Sequence, residues 1–245
     1  MLFNKKYDLV FSLGQACACT QTLRKFKLQF YSYPLDWLYG LNITERADIL
    51  VNNYKDLLNY EDIEVTERNN NSNTNPCAVC FNKRNNIYFN HDFPLGKPAE
   101  ETYPVIKEKY DRRIKRHLEQ IEKSKKVLAV YLQAPNNRNE ADDKTLIEVH
   151  SMLEKRFPKQ EFTLLYLFCD HEKKDYELIE VSKNVIRTSF DYDAYSKEEP
   201  FTVCEIPLEK LFCKINISRK FVTPKNYWRR FFYRLKCFYK GKLFY

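Results

Sequence analysis

The sequence predicts an α/β fold in which a mostly parallel central sheet carries helices on both faces. Three mostly apolar runs of strand length support this prediction: Tyr7–Leu13, Lys126–Leu132 and Phe162–Phe168. Their apolar residues are nearly continuous, which is typical of strands buried on both faces of a parallel sheet. Segments with helical spacing separate the runs, so the chain alternates between strand and helix.

The first strand leads through a tight turn at Gly14 into a helix. Apolar residues in Ala16–Phe26 recur with the period of a helix. Ser32–Leu38 is aromatic and broken by a proline, so we expect an ordered loop there. Thr44 is a candidate N-cap for a helix that runs through Val51.

Later segments continue the pattern. Asn69–Asn75 has no core-forming residue and predicts an exposed loop. Asn86–Phe93 predicts a strand that runs into a polar turn, and Tyr103–Ser124 predicts a long charged surface helix. A helix over Ala141–Phe157 and a short strand over Asn184–Thr188 complete the predicted elements.

Composition predicts one domain with a tail and excludes several classes of protein. The 245 residues are 44% hydrophobic and 16% aromatic, enough for a full core, and we expect a domain over residues 1–222 followed by a tail over 223–245. The 4 glycines are too widely spaced for a dinucleotide-binding or phosphate-binding loop. No apolar run is long enough to span a bilayer, and the start lacks a secretory signal. With 8 irregularly spaced cysteines, the chain is expected to be cytoplasmic and its thiols reduced.

The tail is basic and amphipathic. It holds seven of the 41 cations between Lys225 and Tyr245 and no acid, so the rest of the chain is nearly neutral. One helical face would carry Trp228, Phe231, Phe232, Leu235, Phe238 and Tyr239, while Arg229, Arg230 and Lys236 would point elsewhere. This pattern predicts peripheral binding to the inner face of an anionic membrane. The alternatives are a last helix docked on the domain and, less favoured because the body is neutral, a nucleic-acid contact.

Cys17 is the candidate nucleophile. It follows a strand and a glycine turn and stands in the first turn of the predicted helix, where free N–H groups and the helix dipole favour a thiolate. The turn residues Gly14, Gln15 and Ala16 are the candidate oxyanion-binding residues. The alternative is a small buried residue under the turn, and Cys19 is expected to lie in the core.

A cysteine nucleophile needs a base, and the chain has four histidines. His117 and His150 lie within predicted helices and are interpreted as structural or solvent-facing. His91 and His171 each follow a predicted strand, where ligand sites collect in parallel sheets, so either could reach Cys17.

Three aspartates are candidates for orienting the histidine. Asp92 adjoins His91 and would usually point away from it, so the orienting carboxylate could instead come from Asp36 or Asp170. Separately, Cys77-Ala78-Val79-Cys80 is a lone C-x-x-C without a second ligand pair, so the sequence predicts no metal site.

Four motifs together resemble a known family. Ser12-Leu13-Gly14-Gln15-Ala16-Cys17, Leu23-Arg24, Ser32-Tyr33-Pro34-Leu35-Asp36-Trp37-Leu38 and His91-Asp92-Phe93 match the S-L-G-x-x-C, L-R, P-F-D-W and H-D-F motifs of a bacterial family of unknown function. Its members are described as papain-like cysteine peptidases. The resemblance covers roughly residues 7–170, with Leu35 where phenylalanine is usual and Cys19 as a second cysteine.

The resemblance implies that Cys17 is the nucleophile and His91 its partner, with Asp36 as a site residue or a structural anchor. The implied activity is attack on an acyl or amide carbonyl, with no cofactor. The G-x-x-C turn also resembles capsular-polysaccharide acetyltransferases, which bind coenzyme A, so a coenzyme A-dependent acyltransferase of surface-polysaccharide biosynthesis is the alternative. A non-catalytic module that binds a glycan or a protein is the third interpretation.

Overall fold

A computed structural model of the chain describes residues 2–69, 76–134, 140–192 and 205–239. Most of the predicted Asn-rich loop and the end of the basic tail lie outside the described residues. The described helices and strands are β1 (Lys6–Tyr7), β2 (Leu9–Ser12), α1 (Cys17–Lys25), β3 (Leu38–Tyr39), α2 (Ile43–Val51), β4 (Ile63–Asn69), β5 (Cys77–Asn82), β6 (Ile87–Pro94), α3 (Ala99–Lys123), β7 (Lys126–Leu132), α4 (Asp143–Arg156), β8 (Glu161–Cys169), β9 (Ile179–Ser182), β10 (Val185–Phe190), α5 (Glu205–Cys213), β11 (Asn216–Ile217) and α6 (Pro224–Tyr239).

The predicted parallel sheet is confirmed. Its strands lie in the order β2-β7-β8-β10-β9, and only the edge strand β9 runs antiparallel. The three apolar runs recognised in the sequence are β2, β7 and β8, which are adjacent. Their carboxyl ends therefore meet at one edge of the sheet, and β10 ends there as well.

Helices cover both faces of this sheet, which explains why its strands are almost continuously apolar. Phe11 and Ala129 belong to the core that holds the buried sides of α2, α3 and α4. Their chain neighbours Val10 and Leu128 belong to a second core with α1 and α5. Successive side chains of a strand point to opposite faces, so both positions of each pair must be apolar.

A second sheet was not predicted. The strands β3-β6-β5-β4 form an antiparallel sheet next to the α2 side of the core. It contains Cys80 and Phe89, which pack in the same core as α2 and α3. The predicted strand at Asn86–Phe93 is therefore real, but it does not belong to the parallel sheet.

Two helices differ from their predicted form. α2 is capped by Asn42, whose side chain accepts a hydrogen bond from the Glu45 amide while the Glu45 carboxylate accepts one from the Asn42 amide. This capping box replaces the predicted cap at Thr44. α3 is not purely a surface helix, because Tyr110 and His117 on one of its faces are buried in the core.

α6 docks on the body through a buried arginine. Arg230 donates hydrogen bonds to the carbonyl oxygens of Phe26, Phe212, Cys213 and Ile215 at 2.6–3.3 Å. Burial lowers its pKa to about 9. The prediction that Arg230 belongs to a solvent-facing cationic surface is wrong, because the arginine satisfies carbonyl groups beneath the helix. The division of the chain at residue 222 stays a prediction.

Candidate active site

Cys17 is the first residue of α1 and follows the carboxyl end of β2 through a short turn, as predicted. Its thiol is partly buried, and the backbone N–H groups of Cys17 and Ala18 face the sulfur. Burial nevertheless raises the pKa of the Cys17 thiol above its ordinary value, and the two N–H groups lower it only in part. The predicted lowering of this pKa is therefore wrong, because the cost of burying a thiolate exceeds the help from the helix start.

The turn before Cys17 is packed too closely for any side chain at Gly14. A Cβ atom there would lie 2.9 Å from the Cys19 sulfur and closer still to the Cys19 Cβ. Cys19 is buried in the core, as predicted, and its thiol donates to the carbonyl of Val130 at 3.4 Å. The Gly14 amide donates to the Ser12 hydroxyl at 3.0 Å, so this predicted oxyanion donor is already paired.

Gln15 and Ala16, the other two predicted oxyanion residues, shape the turn. The Gln15 side chain accepts a hydrogen bond at 3.0 Å from the amide of Ala134, just beyond β7. Ala16 has an extended backbone and stands at the N-cap position. The amides that face the Cys17 sulfur are those of Cys17 and Ala18, and neither residue is among the three predicted oxyanion-binding residues.

Arg46 joins this turn to the Pro-Leu-Asp-Trp loop. Its guanidinium is fully buried and donates to the carbonyls of Gln15 at 2.9 Å, Leu35 at 3.2 Å, Leu38 at 2.6 Å and Gly40 at 3.4 Å. Burial lowers its pKa to about 10. Sequence reasoning missed this residue, although Arg46 shares a helical face with the apolar Ile43, Ala47 and Leu50, which indicates that it points inward.

Asp36 is a buried anchor of the loop. One carboxylate oxygen accepts hydrogen bonds from the Gln29 side chain and the Tyr33 amide, both at 2.7 Å. Gln29 in turn accepts from the amide of Ser12 at the end of β2. Burial raises the pKa of Asp36 to about 6, although the Tyr33 amide and the Arg24 guanidinium favour its ionised form. Of the two roles that the resemblance left open, these contacts support the structural one.

His91 lies in the antiparallel sheet, not at the carboxyl edge of the parallel one, so its predicted position is wrong. Its ring is exposed and meets the edge of Trp37 at a centroid distance of 6.1 Å. Trp37 also lies 5.4 Å from the guanidinium of Arg24 on α1, the helix that begins with Cys17. Among the described residues, His91 contacts Trp37, and the groups that act on the Cys17 thiol do not include His91.

Asp92 does not orient His91. Neighbouring residues of a strand point to opposite faces, and Asp92 is buried on the face away from the exposed histidine. Its carboxylate pairs with Lys109 and accepts a hydrogen bond from the Tyr110 hydroxyl at 2.8 Å, both on α3. The catalytic assignment of Asp92 is therefore wrong, since both of its oxygens have structural partners.

Two of the other histidines are structural. His117 is buried against the rings of Tyr33 and Phe11, and its Nδ1 lies 2.5 Å from the Tyr54 hydroxyl. His150 is buried on α4, with Nε2 3.1 Å from the carbonyl of Phe162. Both positions agree with a structural interpretation, but His117 is not on the surface.

The histidine that does lie at the carboxyl edge of the parallel sheet is His171. It follows β8, and its Nδ1 lies 3.2 Å from a carboxylate oxygen of Asp191, just after β10. Cys169 ends β8 beside both residues. Asp170, predicted as another orienting carboxylate, instead accepts from Ser189 and lies 3.9 Å from Lys173.

The exposed face of α6 is aromatic. Trp228, Phe231, Phe232, Leu235, Phe238 and Tyr239 are all solvent-exposed, Phe232 at 61% and Tyr239 at 78%. Arg229 and Lys236 are exposed beside them, whereas Arg230 and Cys237 face the body. The alternative that the aromatic face docks on the domain is wrong, because the opposite face makes that contact. No helix among the described residues combines the length and apolar character needed to cross a bilayer.

Residues 8–172, more than half of the chain, match the model of a family described as "Putative papain-like cysteine peptidase". The chain belongs to this family, whose matched region includes Cys17, Asp36 and His91. A protein of Acanthamoeba polyphaga mimivirus, "Uncharacterized protein R408", is 25% identical over 177 residues, which cover 66% of this chain and 77% of the viral protein. No solved structure matches. That relative is viral, so the bacterial source implied by the family resemblance stays a prediction.

Proposed function

We propose that this protein is a cysteine-nucleophile hydrolase that attacks an acyl or amide carbonyl through Cys17. The observation that carries the proposal is the position of the thiol, at the first residue of α1 with two backbone N–H groups facing the sulfur. Such N–H groups can also stabilise the oxyanion that forms when a thiolate adds to a carbonyl. Membership of the papain-like peptidase family supports the same chemistry.

The raised pKa of Cys17 makes a base necessary. At neutral pH a buried thiol with a raised pKa is almost entirely protonated, so its proton must leave as the sulfur attacks. His91 is the proposed base because it is exposed and contacts Trp37, which packs against α1 through Arg24. In the proposed step the thiol proton passes to His91, the sulfur–carbon bond forms, and the leaving group departs with the electrons of its former bond.

An activated ester tests this proposal without knowledge of the natural substrate. With p-nitrophenyl acetate we expect p-nitrophenolate release and an acetyl group on Cys17, located by peptide mass spectrometry. Cys17→Ser should abolish the adduct, and His91→Ala should slow its formation by about 10²-fold at neutral pH, the usual contribution of a general base. In His91→Ala the rate should climb only as the pH approaches the raised pKa of the thiol.

His171→Ala is the matched comparison, because His171 is the other exposed histidine. It should leave the rate of Cys17 acetylation unchanged. Loss of acetylation in His171→Ala but not in His91→Ala would contradict the assignment of the base. A Cys17 that reacts no faster than the other thiols would contradict the hydrolase proposal and favour the non-catalytic binding module.

The acceptor of the acyl group separates hydrolysis from the acyltransferase alternative. Both reactions share the acyl-enzyme on Cys17, and they differ in whether water or a second substrate then takes the acyl group. Acetyl coenzyme A replaces the ester in the same assay. Acetylation of Cys17 by this donor, together with a rise in melting temperature on addition of coenzyme A, would favour acyl transfer.

We also propose that α6 holds the protein on an anionic membrane surface at the inner face of the cell membrane. The aromatic side chains exposed on α6, with Arg229 and Lys236 beside them, support this second function. Aromatic rings lie in the headgroup region of a bilayer, while cations pair with anionic lipids. Deletion of the helix is a poor test, because it would leave the four carbonyls bound by Arg230 without their donor.

Point variants on the exposed face of α6 test the membrane proposal. Arg229→Gln/Lys236→Gln should weaken binding to phosphatidylserine vesicles by about 2 kcal/mol, or about thirtyfold, since each cation contributes about 1 kcal/mol. Trp228→Ser/Phe232→Ser should weaken it as well. Co-sedimentation measures both effects.

The controls lie on the exposed side of α3. Arg112→Gln/Lys115→Gln removes the same charge, and Val105→Ser removes a side chain that is 70% exposed. Neither should change vesicle binding. If the α6 variants bind anionic vesicles as the wild type does, or if the wild type binds neutral vesicles equally well, α6 is not the anionic-membrane surface.

A further inference from the structure

Cys169, His171 and Asp191 form a cluster outside the proposed Cys17 site. The pairing of β8 with β10 sets Cys169 opposite Phe190, so Asp191 lies one residue beyond this pair. The Cys169 sulfur lies 3.9 Å from His171 Nδ1 and 3.9 Å from an Asp191 carboxylate oxygen. His171 Nδ1 and that same oxygen are 3.2 Å apart. A thiol, an imidazole nitrogen and a carboxylate oxygen thus form a small triangle.

This triangle does not have the geometry of a catalytic relay. In a cysteine–histidine–aspartate relay, the nucleophile and the carboxylate contact different nitrogens of the imidazole, so that a proton can cross the ring. Here the sulfur of Cys169 and the oxygen of Asp191 both approach Nδ1 of His171. The three atoms lie within 3.9 Å of one another, which is close enough for a single ion to contact all three.

The separations match those around a tetrahedral zinc ion. Zinc binds sulfur at about 2.3 Å and nitrogen or oxygen at about 2.0–2.1 Å, which places a tetrahedral nitrogen–oxygen pair roughly 3.3 Å apart and sulfur roughly 3.5 Å from either. The nitrogen–oxygen separation is 3.2 Å, and the two separations from sulfur are 3.9 Å. A shift of a few tenths of an ångström at the Cys169 side chain would bring both separations from sulfur to the value in a tetrahedral zinc site.

Backbone hydrogen bonds hold the loop of His171 and the end of β10 together without an ion. The Asp191 amide donates to the carbonyl of Lys173 at 2.8 Å, which ties the end of β10 to the loop that carries His171. The Asp170 amide donates to the carbonyl of Phe190 at 3.2 Å across the same junction. His171 has a side-chain exposure of 64%, so an ion can enter from solvent.

We propose that Cys169, His171 and Asp191 bind a zinc ion at the carboxyl edge of the parallel sheet. A thiolate, an imidazole and a carboxylate are all ligands that zinc accepts, and thiolate with imidazole favours zinc over magnesium or calcium. Three protein ligands leave the fourth position to water or a bound molecule, as in catalytic zinc sites. The site is separate from Cys17 and does not depend on the proposed hydrolase activity.

Cobalt(II) is the probe, because it takes the same geometry as zinc and gives a charge-transfer band when a thiolate binds it. Titration of the metal-free full chain should give this band with one equivalent of cobalt, and added zinc should remove it. Cys169→Ser should abolish the band, and Asp191→Asn and His171→Gln should each weaken cobalt binding at least tenfold. His171→Gln should leave the stability of the fold unchanged, since the ring is largely exposed.

Cys17→Ser is the matched control, because Cys17 is also a partly buried thiol at the same edge of the sheet. It should keep the band, which separates this test from that of the hydrolase. No band in the wild type, or a band that persists in Cys169→Ser, would overturn the zinc site. A band lost in Cys77→Ser but kept in Cys169→Ser would move metal binding to the C-x-x-C hairpin and overturn it equally.

Discussion

Replacing Arg46 by methionine is expected to lower the free energy of unfolding by about 3–5 kcal/mol, since each buried carbonyl left without its donor costs about 1–3 kcal/mol. Methionine fills part of the space but leaves the carbonyls of Gln15, Leu35, Leu38 and Gly40 without their donor. Each buried carbonyl that loses a partner adds a desolvation cost. Equilibrium unfolding in urea measures the change.

Arg84→Met is the control for Arg46→Met. Arg84 is exposed and pairs with Asp56 and Asp62 at 3.2 and 2.8 Å, so its loss should cost only about 0–1 kcal/mol. Arg46→Lys keeps the charge but has one ammonium group for four separated carbonyls, so it should restore only part of the stability. A loss in Arg46→Met no greater than in Arg84→Met would show that the guanidinium does not hold the turn of Cys17.

Lowering the pH is expected to change the free energy of unfolding through two buried groups, His117 and Asp36, whose effects have opposite signs. Burial lowers the pKa of His117 to about 3, below the ordinary 6.5, so the unfolded chain takes up this proton first as the pH falls. Stability is therefore lost below about pH 6.5, by about 3 kcal/mol at about pH 4.5. The raised pKa of Asp36, about 6 against 3.8, works the other way and adds about 2 kcal/mol over the same range.

Single variants should separate the two contributions. Relative to the wild type, His117→Gln should gain about 3 kcal/mol between about pH 7 and pH 4.5, because it has no imidazole to protonate. Asp36→Asn should lose about 2 kcal/mol over the same interval. Urea unfolding of the three proteins at both pH values gives the differences directly. If the free energy of unfolding of each variant changes with pH as that of the wild type does, neither group titrates as its burial implies.

Side-chain burial explains most of the difference between the predicted and the observed site. The position of Cys17 after a strand and a glycine is local, so the sequence was sufficient to predict it. Its pKa depends on how much water the rest of the fold excludes, which no neighbour along the chain reveals. His91 and Asp92 were misplaced for a related reason, since the pattern of a strand does not say which sheet the strand will join.

The amino-acid pattern was sufficient to predict the parallel sheet, the strand–turn–helix that presents Cys17, and the amphipathic character of α6. These follow from periodicity and composition, which act over a few residues at a time. Three features are visible only in the folded chain: Arg46 and Arg230 are buried, His91 lies in a second sheet, and Cys169, His171 and Asp191 lie close together. Those outcomes depend on contacts between residues far apart in the chain, because the packing of whole elements fixes which carbonyls need a donor and which side chains meet.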